Sequence, residues 1–298
     1  MIITKSCNPI GMSYWRNINF HAGSNVLQVF LSIKDELHIF TIRKDDLALI
    51  DVRNIGITHT GEGCWFSAID PNRLFIPING SLICLDTSSA RPEQVWKIAN
   101  RNLWQCHGSH NDNVFSATIR NENYQDVAWG VYRDGVTQLF DLAGESDECQ
   151  IDKSGNFLLI KEDNYNRVLN LVSGRETKIT DQEGALGHSD CGFECAIGEN
   201  DQSALAGACD EIDFVSMSHR NIYSTGIWNM GYVSYQNNQI LISTPVELIH
   251  VGSGKKWNHG NTSEQYEHRV KANLCPLGEY FAYTAFIDGS LVAVIEKL

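Results

Sequence analysis

Short runs of alternating hydrophobic and polar residues recur along the whole chain, and polar turns separate them. Strands with one buried face produce this period of two residues. Examples are ELHIFTI, SLICLD, VAWGVYR and TQLFDL, which are rich in the β-branched and aromatic residues that strands favour. Long stretches with helical periodicity are missing from the sequence. The pattern therefore predicts an all-β protein.

A polar turn followed by an apolar strand recurs seven times. The first strand residues after these turns are Val26, Leu74, Val114, Phe157, Ala204, Ile240 and Tyr280. They are spaced about 42 residues apart, which is the length of one four-stranded blade of a β-propeller. The sequence predicts a single domain over residues 1–298, folded as a seven-bladed propeller without a linker.

The two ends of the chain predict how the ring closes. The last repeat supplies only three strands, while residues 2–5 form an extra strand ahead of the first blade. Pairing this N-terminal strand with residues 291–296 would complete the last blade and leave neither edge unpaired. We expect the N-terminal strand to be the outer strand of the seventh blade.

Charge and cysteine content narrow the partners and the location. The chain has 23 Lys and Arg against 36 Asp and Glu, a net charge of −13, and its cations are not clustered. Nucleic acid and anionic membranes are therefore not expected as partners. Nine cysteines without a Cys-x-x-Cys pair, and no signal-peptide pattern, indicate free thiols and a cytoplasmic location, or a virion if the protein is phage-encoded.

Candidate functional residues occur just before the innermost strands of the blades. In a propeller these positions meet around the axis at one face, here called the mouth, although they are far apart in the sequence. The residues of interest are Trp15, Arg16, His59, Glu62, His107, His188, Tyr232, Gln265, His268 and Arg269. We expect them to converge at the mouth.

Several of these residues also have a structural interpretation. His188 and Asp190 could form a hydrogen-bonded pair that joins two blades. His59 and Glu62 lie in a Gly-rich loop that could be solvated surface, and His107 could simply bond a neighbouring backbone group. Both interpretations remain open at the level of sequence.

The last repeat resembles that of a known enzyme family. The segment Gln265-Tyr266-Glu267-His268, followed by the turn of residues 273–278, is similar to the final blade of oligogalacturonate lyases. The resemblance implies a manganese-like divalent metal at the mouth, bound by Gln265 and His268. If such a metal is present, we expect His188 as a further ligand, since imidazole and amide oxygen suit such ions. The family's segment continues His-x-His, whereas position 270 here is valine, so one ligand of the family is missing.

One functional hypothesis is a carbohydrate-directed propeller that acts on an acidic oligosaccharide, most concretely a uronate lyase. Its β-elimination needs a neutralised carboxylate and a base near the sugar C5 proton. Arg269 or Arg16 would neutralise the carboxylate, and His188 or His107 would be the base. Tyr232 would protonate the leaving oxygen. Trp15, His59 and Glu62 would contact the substrate.

The other hypothesis is a non-catalytic binding or assembly module with a glycan or protein partner, such as a phage tail or adhesin component. Propellers serve widely as rigid binding discs, and the fold alone implies no chemistry. Whether the protein is an enzyme stays open. An enzyme would keep the mouth residues together in one pocket, whereas a scaffold would use them separately to join its blades.

Overall fold

The computed structural model describes residues 2–5, 18–20, 25–34, 36–59, 63–163, 165–200, 202–226, 232–259, 272–287 and 290–298. Within these ranges the chain forms seven four-stranded antiparallel sheets and no α-helix. The prediction of an all-β, seven-bladed propeller is confirmed. In the described part of the chain, no helix is long and apolar enough to cross a membrane.

The first four blades follow one another along the chain. Blade 1 contains β2 (Ile18–Phe20), β3 (Val26–Ile33), β4 (Glu36–Arg43) and β5 (Leu49–Thr58). Blade 2 contains β6 (Trp65–Phe66), β7 (Arg73–Ile78), β8 (Ser81–Asp86) and β9 (Arg91–Trp96). Blade 3 contains β10 (Asn102–Gly108), β11 (Val114–Arg120), β12 (Asp126–Arg133) and β13 (Val136–Phe140). Blade 4 contains β14 (Ser146–Ile151), β15 (Phe157–Glu162), β16 (Tyr165–Asn170) and β17 (Glu176–Thr180).

A short 3-10 helix (Asp181–Glu183) leads into the last three blades. Blade 5 contains β18 (Ser189–Cys191), β19 (Cys195–Asn200), β20 (Ala208–Asp213) and β21 (His219–Ser224). Blade 6 contains β22 (Tyr232–Gln236), β23 (Gln239–Ser243), β24 (Glu247–His250) and β25 (Lys256–Asn258). Blade 7 contains β26 (Asn273–Leu274), β27 (Tyr280–Ile287), β28 (Ser290–Lys297) and β1 (Ile2–Lys5).

The N-terminal strand closes the ring as predicted. Strand β1 pairs antiparallel with β28, with Ile2 opposite Val294 and Lys5 opposite Val292. It is the outer strand of blade 7, whose order is β1-β28-β27-β26. The two ends of the chain therefore complete one sheet, and each covers an edge that would otherwise be unpaired.

The predicted repeat register is wrong in blade 5. Ala204 was expected to begin the second strand of this blade, but it lies in the connection between β19 and β20. The second strand begins at Cys195 instead, after a turn in which Glu194 has a left-handed φ of 57°. The polar residues 198–201 look more like a turn than Gly192-Phe193-Glu194 does, which is why the pattern was placed one turn too late.

Apolar side chains fill the spaces between neighbouring blades. Phe75 and Leu82 of blade 2 pack with Phe115 and Ala117 of blade 3 in one buried cluster. A corresponding cluster joins Leu27, Val29, Leu31, Phe40 and Ile42 of blade 1 to Cys275, Tyr280, Ala282, Ala293 and Ile295 of blade 7. The core is thus a set of layers between blades, and the closing blade is packed like the others.

Polar side chains additionally join neighbouring blades from blade 3 to blade 7. The innermost strands of blades 3 and 4, of blades 5 and 6 and of blades 6 and 7 contact each other around the axis. Buried polar groups that are hydrogen-bonded avoid the desolvation cost of burial. The bonds between blades are Ile151 N–H to Ser116 Oγ (3.0 Å), Gln150 Nε2 to the Ser189 carbonyl (3.1 Å), Tyr235 N–H to Asp190 Oδ2 (2.8 Å) and Leu274 N–H to Ser234 Oγ (3.0 Å).

Candidate functional site at the mouth

The mouth is the face at which the fourth strand of each blade leads into the first strand of the next. His59 directly follows β5, His188 directly precedes β18, and Tyr232 is the first residue of β22. Since the innermost strands of a propeller all run in one direction, these three residues lie at the same face. The turns between second and third strands are at this face too.

His107 lies elsewhere on its strand than the sequence suggested. It was expected just before an innermost strand, but β10 already begins at Asn102 and His107 is its penultimate residue. It is 2% exposed. The strand contains a bulge between Trp104 and His107, with Gln105 at a left-handed φ of 48°. The bulge interrupts the alternation of side chains and hides the true start of the strand in the sequence.

His188 is the mouth residue best placed for chemistry among the four described candidates. Its side chain is 30% exposed, and its Nδ1 lies 3.5 Å from Oε2 of the buried Glu199. A carboxylate beside one ring nitrogen orients an imidazole, as in histidine general bases. A carboxylate also commonly supports a metal-binding histidine, so His188 fits either predicted role.

Tyr232 and His59 are engaged in the framework of the ring. The Tyr232 hydroxyl donates to Asn273 Oδ1 at 3.3 Å, across the boundary between blades 6 and 7, and the residue is 2% exposed. The His59 Nε2 lies 2.7 Å from the Pro77 carbonyl oxygen, and Cys64 Sγ is 3.5 Å from its Nδ1. Burial of Tyr232 favours a structural role, whereas His59 is partly exposed and borders a groove.

The other predicted site residues lie outside the described ranges. They are Trp15, Arg16, Glu62, Gln265, His268 and Arg269. Among the described residues, no group of three His, Cys, Asp or Glu side chains is arranged to hold a metal ion. Because two of the three proposed ligands are not described, the metal site stays a prediction, for which His188 is the one ligand with known surroundings.

A groove of about 550 Å³ lies between blades 2 and 3 at the mouth face. Its walls are formed by the connection that follows blade 1, by the turn between β7 and β8, by the turn between β11 and β12, and by the first half of β10. The lining residues are Thr58, His59, Gly63, Pro77, Ile78, Asn79, Gly80, Asn102, Leu103, Trp104, Gln105, Arg120 and Tyr124. It combines aromatic rings, amides and one cation, a composition typical of ligand sites.

Trp104 and Arg120 form the most distinctive part of the groove. Trp104 is 42% exposed, and the guanidinium carbon of Arg120 lies 4.4 Å from its ring centroid. Trp104 points outward because it alternates with the buried Leu103, and the bulge that follows it lets Cys106 be buried as well. Arg120 Nε also donates to Asp126 Oδ1 at 2.6 Å. The ring and the guanidinium are therefore held together as one surface.

Gly80 keeps the neighbouring wall close to β10. A Cβ at this position would lie 2.2 Å from Asn102 Oδ1 and 3.1 Å from the Asn102 Cα, and its φ is +68°. The Leu103 N–H donates to the Gly80 carbonyl at 3.2 Å. Asn102 Nδ2 in turn donates to the Asn121 carbonyl at 3.1 Å. Only glycine permits this approach in this conformation. The turn between β7 and β8, strand β10 and the turn between β11 and β12 therefore form a continuous wall.

Sequence reasoning identified His59 but missed Trp104, Arg120, Asn102 and Tyr124. A signal was present, because Asn102-Leu103-Trp104-Gln105-Cys106 does not alternate cleanly and suggests a bulge. Arg120 and Tyr124 are adjacent to Trp104 only because β11 folds back against β10. That proximity depends on strand pairing and cannot be read from spacing alone.

The comparisons with known proteins support the fold. No protein-family profile and no curated protein matches the sequence. An oligogalacturonate lyase from Vibrio parahaemolyticus is similar over 100% of this chain and 92% of its own, with a TM-score of 0.71 and 6% identity. A chain of the Mitotic Checkpoint Complex is similar over 100% and 94%, with a TM-score of 0.64 and 15% identity.

At these identities the likeness is one of fold. The resemblance to oligogalacturonate lyases that the last repeat suggested therefore holds for the propeller as a whole. It carries over no activity, because one fold serves enzymes and assembly proteins alike, and the second similar chain belongs to a protein complex.

Proposed function

We propose that this protein is a carbohydrate-directed propeller that binds a glycan in the groove between blades 2 and 3. The exposed Trp104 ring in a groove of about 550 Å³ is the observation that carries the proposal. An indole ring offers a flat apolar face to a sugar ring at a low cost in conformational entropy.

The surroundings of Trp104 supply the polar contacts that sugar hydroxyls need. Asn79, Asn102 and Gln105 line the same groove, and amide side chains both donate and accept hydrogen bonds. Tyr124, which is 71% exposed, forms the outer rim. These groups suit a ligand that is polar around its edge and flatter and less polar on its faces, as a pyranose is.

The narrower form of the proposal is β-elimination on a uronate oligosaccharide at the mouth. His188, oriented by Glu199, would take the proton from C5. The electron pair of that C–H bond would form the C4–C5 double bond, and the 4-O substituent would leave with the electron pair of the C4–O bond and take a proton from the protonated His188 or from water. Arg269 is the residue proposed from sequence to neutralise the carboxylate. A divalent metal held by Gln265 and His268 would supply further positive charge to that carboxylate when bound, and His188 would be its third ligand only in the alternative in which another group is the base.

Binding is tested by calorimetric titration with trigalacturonate and galactotriose. The proposal expects at least one of them to bind, and Trp104→Ala to weaken that binding about tenfold or more, since stacking of this kind contributes one or more kcal/mol. Phe193→Ala is the matched control, because Phe193 is an exposed aromatic (58%) in the turn between β18 and β19, which places it at the opposite face. Lack of binding by the unaltered protein, or loss in both variants, would count against the groove.

Elimination is tested by the ultraviolet absorbance of the unsaturated product formed from oligogalacturonate. Activity should disappear in His188→Ala and Arg269→Ala and persist in His219→Ala, a histidine on the exposed outer strand β21. If the unaltered protein binds glycan yet forms no unsaturated product with or without added manganese, the lyase form fails and the binding form stands.

A second candidate function is a non-catalytic assembly module. It is favoured by the hydrogen bonds of Asp190 and Tyr232, since each of these candidate residues joins two adjacent blades. An unaltered protein that binds neither oligosaccharide would support this candidate over the first.

A further inference from the structure

The Arg120 guanidinium has donor capacity that the protein itself does not use. Among the described residues its one hydrogen-bond acceptor is Asp126 Oδ1, bonded at Nε. Both terminal nitrogens, with four N–H donors, are without an acceptor in that part of the chain. The side chain is 24% exposed and lines the groove. A guanidinium with two such nitrogens can bind a planar oxyanion by donating two parallel hydrogen bonds to it.

The orientation of Arg120 is fixed from two sides. The Trp104 ring lies against the guanidinium with 4.4 Å between centroid and carbon. Asp126 holds the Nε edge, and its second carboxylate oxygen accepts a hydrogen bond from the Ser146 hydroxyl of blade 4. Since Asp126 engages Nε alone, the edge formed by the two terminal nitrogens stays available. A cation that is already positioned loses little conformational entropy when it binds a ligand.

A carboxylate is the oxyanion that best fits this arrangement. Its two oxygens match the spacing of the two terminal nitrogens, and the sugar ring that bears it can lie beside Trp104. The protein carries a net charge of −13. Arg120 is the one cation among the residues that line the groove, so it is the group there that would favour an acidic ligand.

We propose that Arg120 is the carboxylate-recognition residue of the groove, with Asp126 as its positioning residue, so that the groove selects acidic over neutral glycans. This inference rests on the proposed glycan function. It assigns the selectivity to the Trp104–Arg120 pair away from the propeller axis, independently of any elimination chemistry at the mouth.

The test compares trigalacturonate with its fully methyl-esterified form, which lacks the charges and carries one methyl group on each carboxyl, by calorimetric titration. The unaltered protein should bind the acid about tenfold or more tightly than the ester, as expected for a hydrogen bond to a charged group. Raising the salt concentration should reduce this preference. Arg120→Gln should remove the preference, so that the acid and the ester bind with equal affinity.

Two further variants separate charge from geometry. Arg120→Lys keeps the charge but loses the fork, so it should retain only part of the preference. Asp126→Asn should lower the ratio of acid to ester affinity without lowering the affinity for the ester, because the guanidinium is less firmly oriented; a purely structural role would lower both affinities together. Arg91→Gln is the control, because Arg91 is an exposed arginine on the outer strand β9.

The outcomes distinguish this inference from the proposed function. Equal affinity of the unaltered protein for acid and ester, or a preference that survives in Arg120→Gln, would overturn the role of Arg120 and leave glycan binding in place. Binding of neither ligand by the unaltered protein would overturn the proposed function and this inference with it.

Discussion

The Lys153 ammonium donates a hydrogen bond to the backbone carbonyl oxygen of Tyr235 at 2.6 Å, although the two residues belong to blades 4 and 6. Lys153 is 6% exposed and also lies 5.1 Å from the Tyr235 ring centroid. The bond passes over blade 5, so it crosses close to the propeller axis. It lies beside a cavity of about 40 Å³ that residues of blades 2, 3, 4, 6 and 7 line together, at the face opposite the mouth.

Replacement of Lys153 should therefore destabilise the ring. In Lys153→Met the Tyr235 carbonyl loses a charged donor in a buried place, and the free energy of unfolding should fall by about 1–3 kcal/mol. The measurement is urea denaturation followed by circular dichroism. Lys97→Met, at an exposed lysine, is the control and should change stability by less than about 0.5 kcal/mol. Equal stability of the two variants would show that the crossing bond contributes little.

Asp190 should prove to be a structural residue. Its Oδ2 accepts the Tyr235 N–H at 2.8 Å, and the residue is 4% exposed. Asp190→Ala should lower the free energy of unfolding by about 1–3 kcal/mol, because a buried backbone N–H loses its acceptor. Asp190→Asn keeps an acceptor oxygen and should lose less.

A double variant extends this test. Asp190 and Lys153 bond the N–H and the C=O of the same residue, so combining Asp190→Ala with Lys153→Met should give a non-additive loss. Strict additivity would mean that the two bonds act independently. Unchanged stability in Asp190→Ala would leave the His188–Asp190 segment available for a functional interpretation.

Stability should fall in mildly acidic solution because of two histidines in and next to blade 6. Burial lowers the pKa of His259 and of His250 below the usual 6.5, and the Lys255 cation adds to the effect at His250. The unfolded chain binds protons at these histidines near pH 6.5, whereas the folded chain keeps them neutral to a lower pH. Their stabilisation is therefore present above about pH 6.5 and is lost as the pH falls toward the folded pKa values.

His259→Gln isolates this effect. The His259 Nε2 lies 3.1 Å from the Thr244 carbonyl oxygen, and a glutamine amide can keep that donation. Urea denaturation between pH 7.5 and pH 5.5 should show a smaller loss of stability in the variant than in the unaltered protein. An identical slope in both proteins would contradict the assignment.

The cysteines should be unreactive free thiols in the folded protein. Eight of them are described, all buried and none in a disulfide. Burial raises the pKa of Cys195 to about 12 and that of Cys64, Cys106 and Cys149 well above the ordinary range. A thiol reagent at pH 8 should therefore react slowly with these eight groups, and with all nine of the sequence after denaturation. Fewer than nine thiols in denatured protein kept without reductant would reveal a cross-link.

The propeller itself was predictable from the sequence because its determinants are local and repeated. Period-two alternation predicted the strands, and the spacing of about 42 residues predicted seven blades. The extra strand at the N-terminus and the missing fourth strand of the last repeat predicted the pairing of β1 with β28. The register in blade 5 failed because Gly192-Phe193-Glu194, with an exposed Phe193, has little of the polarity by which turns are recognised.

The candidate site was only partly predictable, for a physical reason. Convergence at the mouth follows from the ring, so the faces of His59 and His188 could be foreseen. The sequence could not show which of these side chains form structural hydrogen bonds within the ring. That depends on whether a partner such as Asn273 or Pro77 lies within hydrogen-bonding distance in a neighbouring strand or blade. The groove was harder still to predict, because only the pairing of β10 with β11 brings Arg120 onto the Trp104 ring. Alternation and spacing are properties of the chain, whereas contacts between strands and between blades exist only after it has folded.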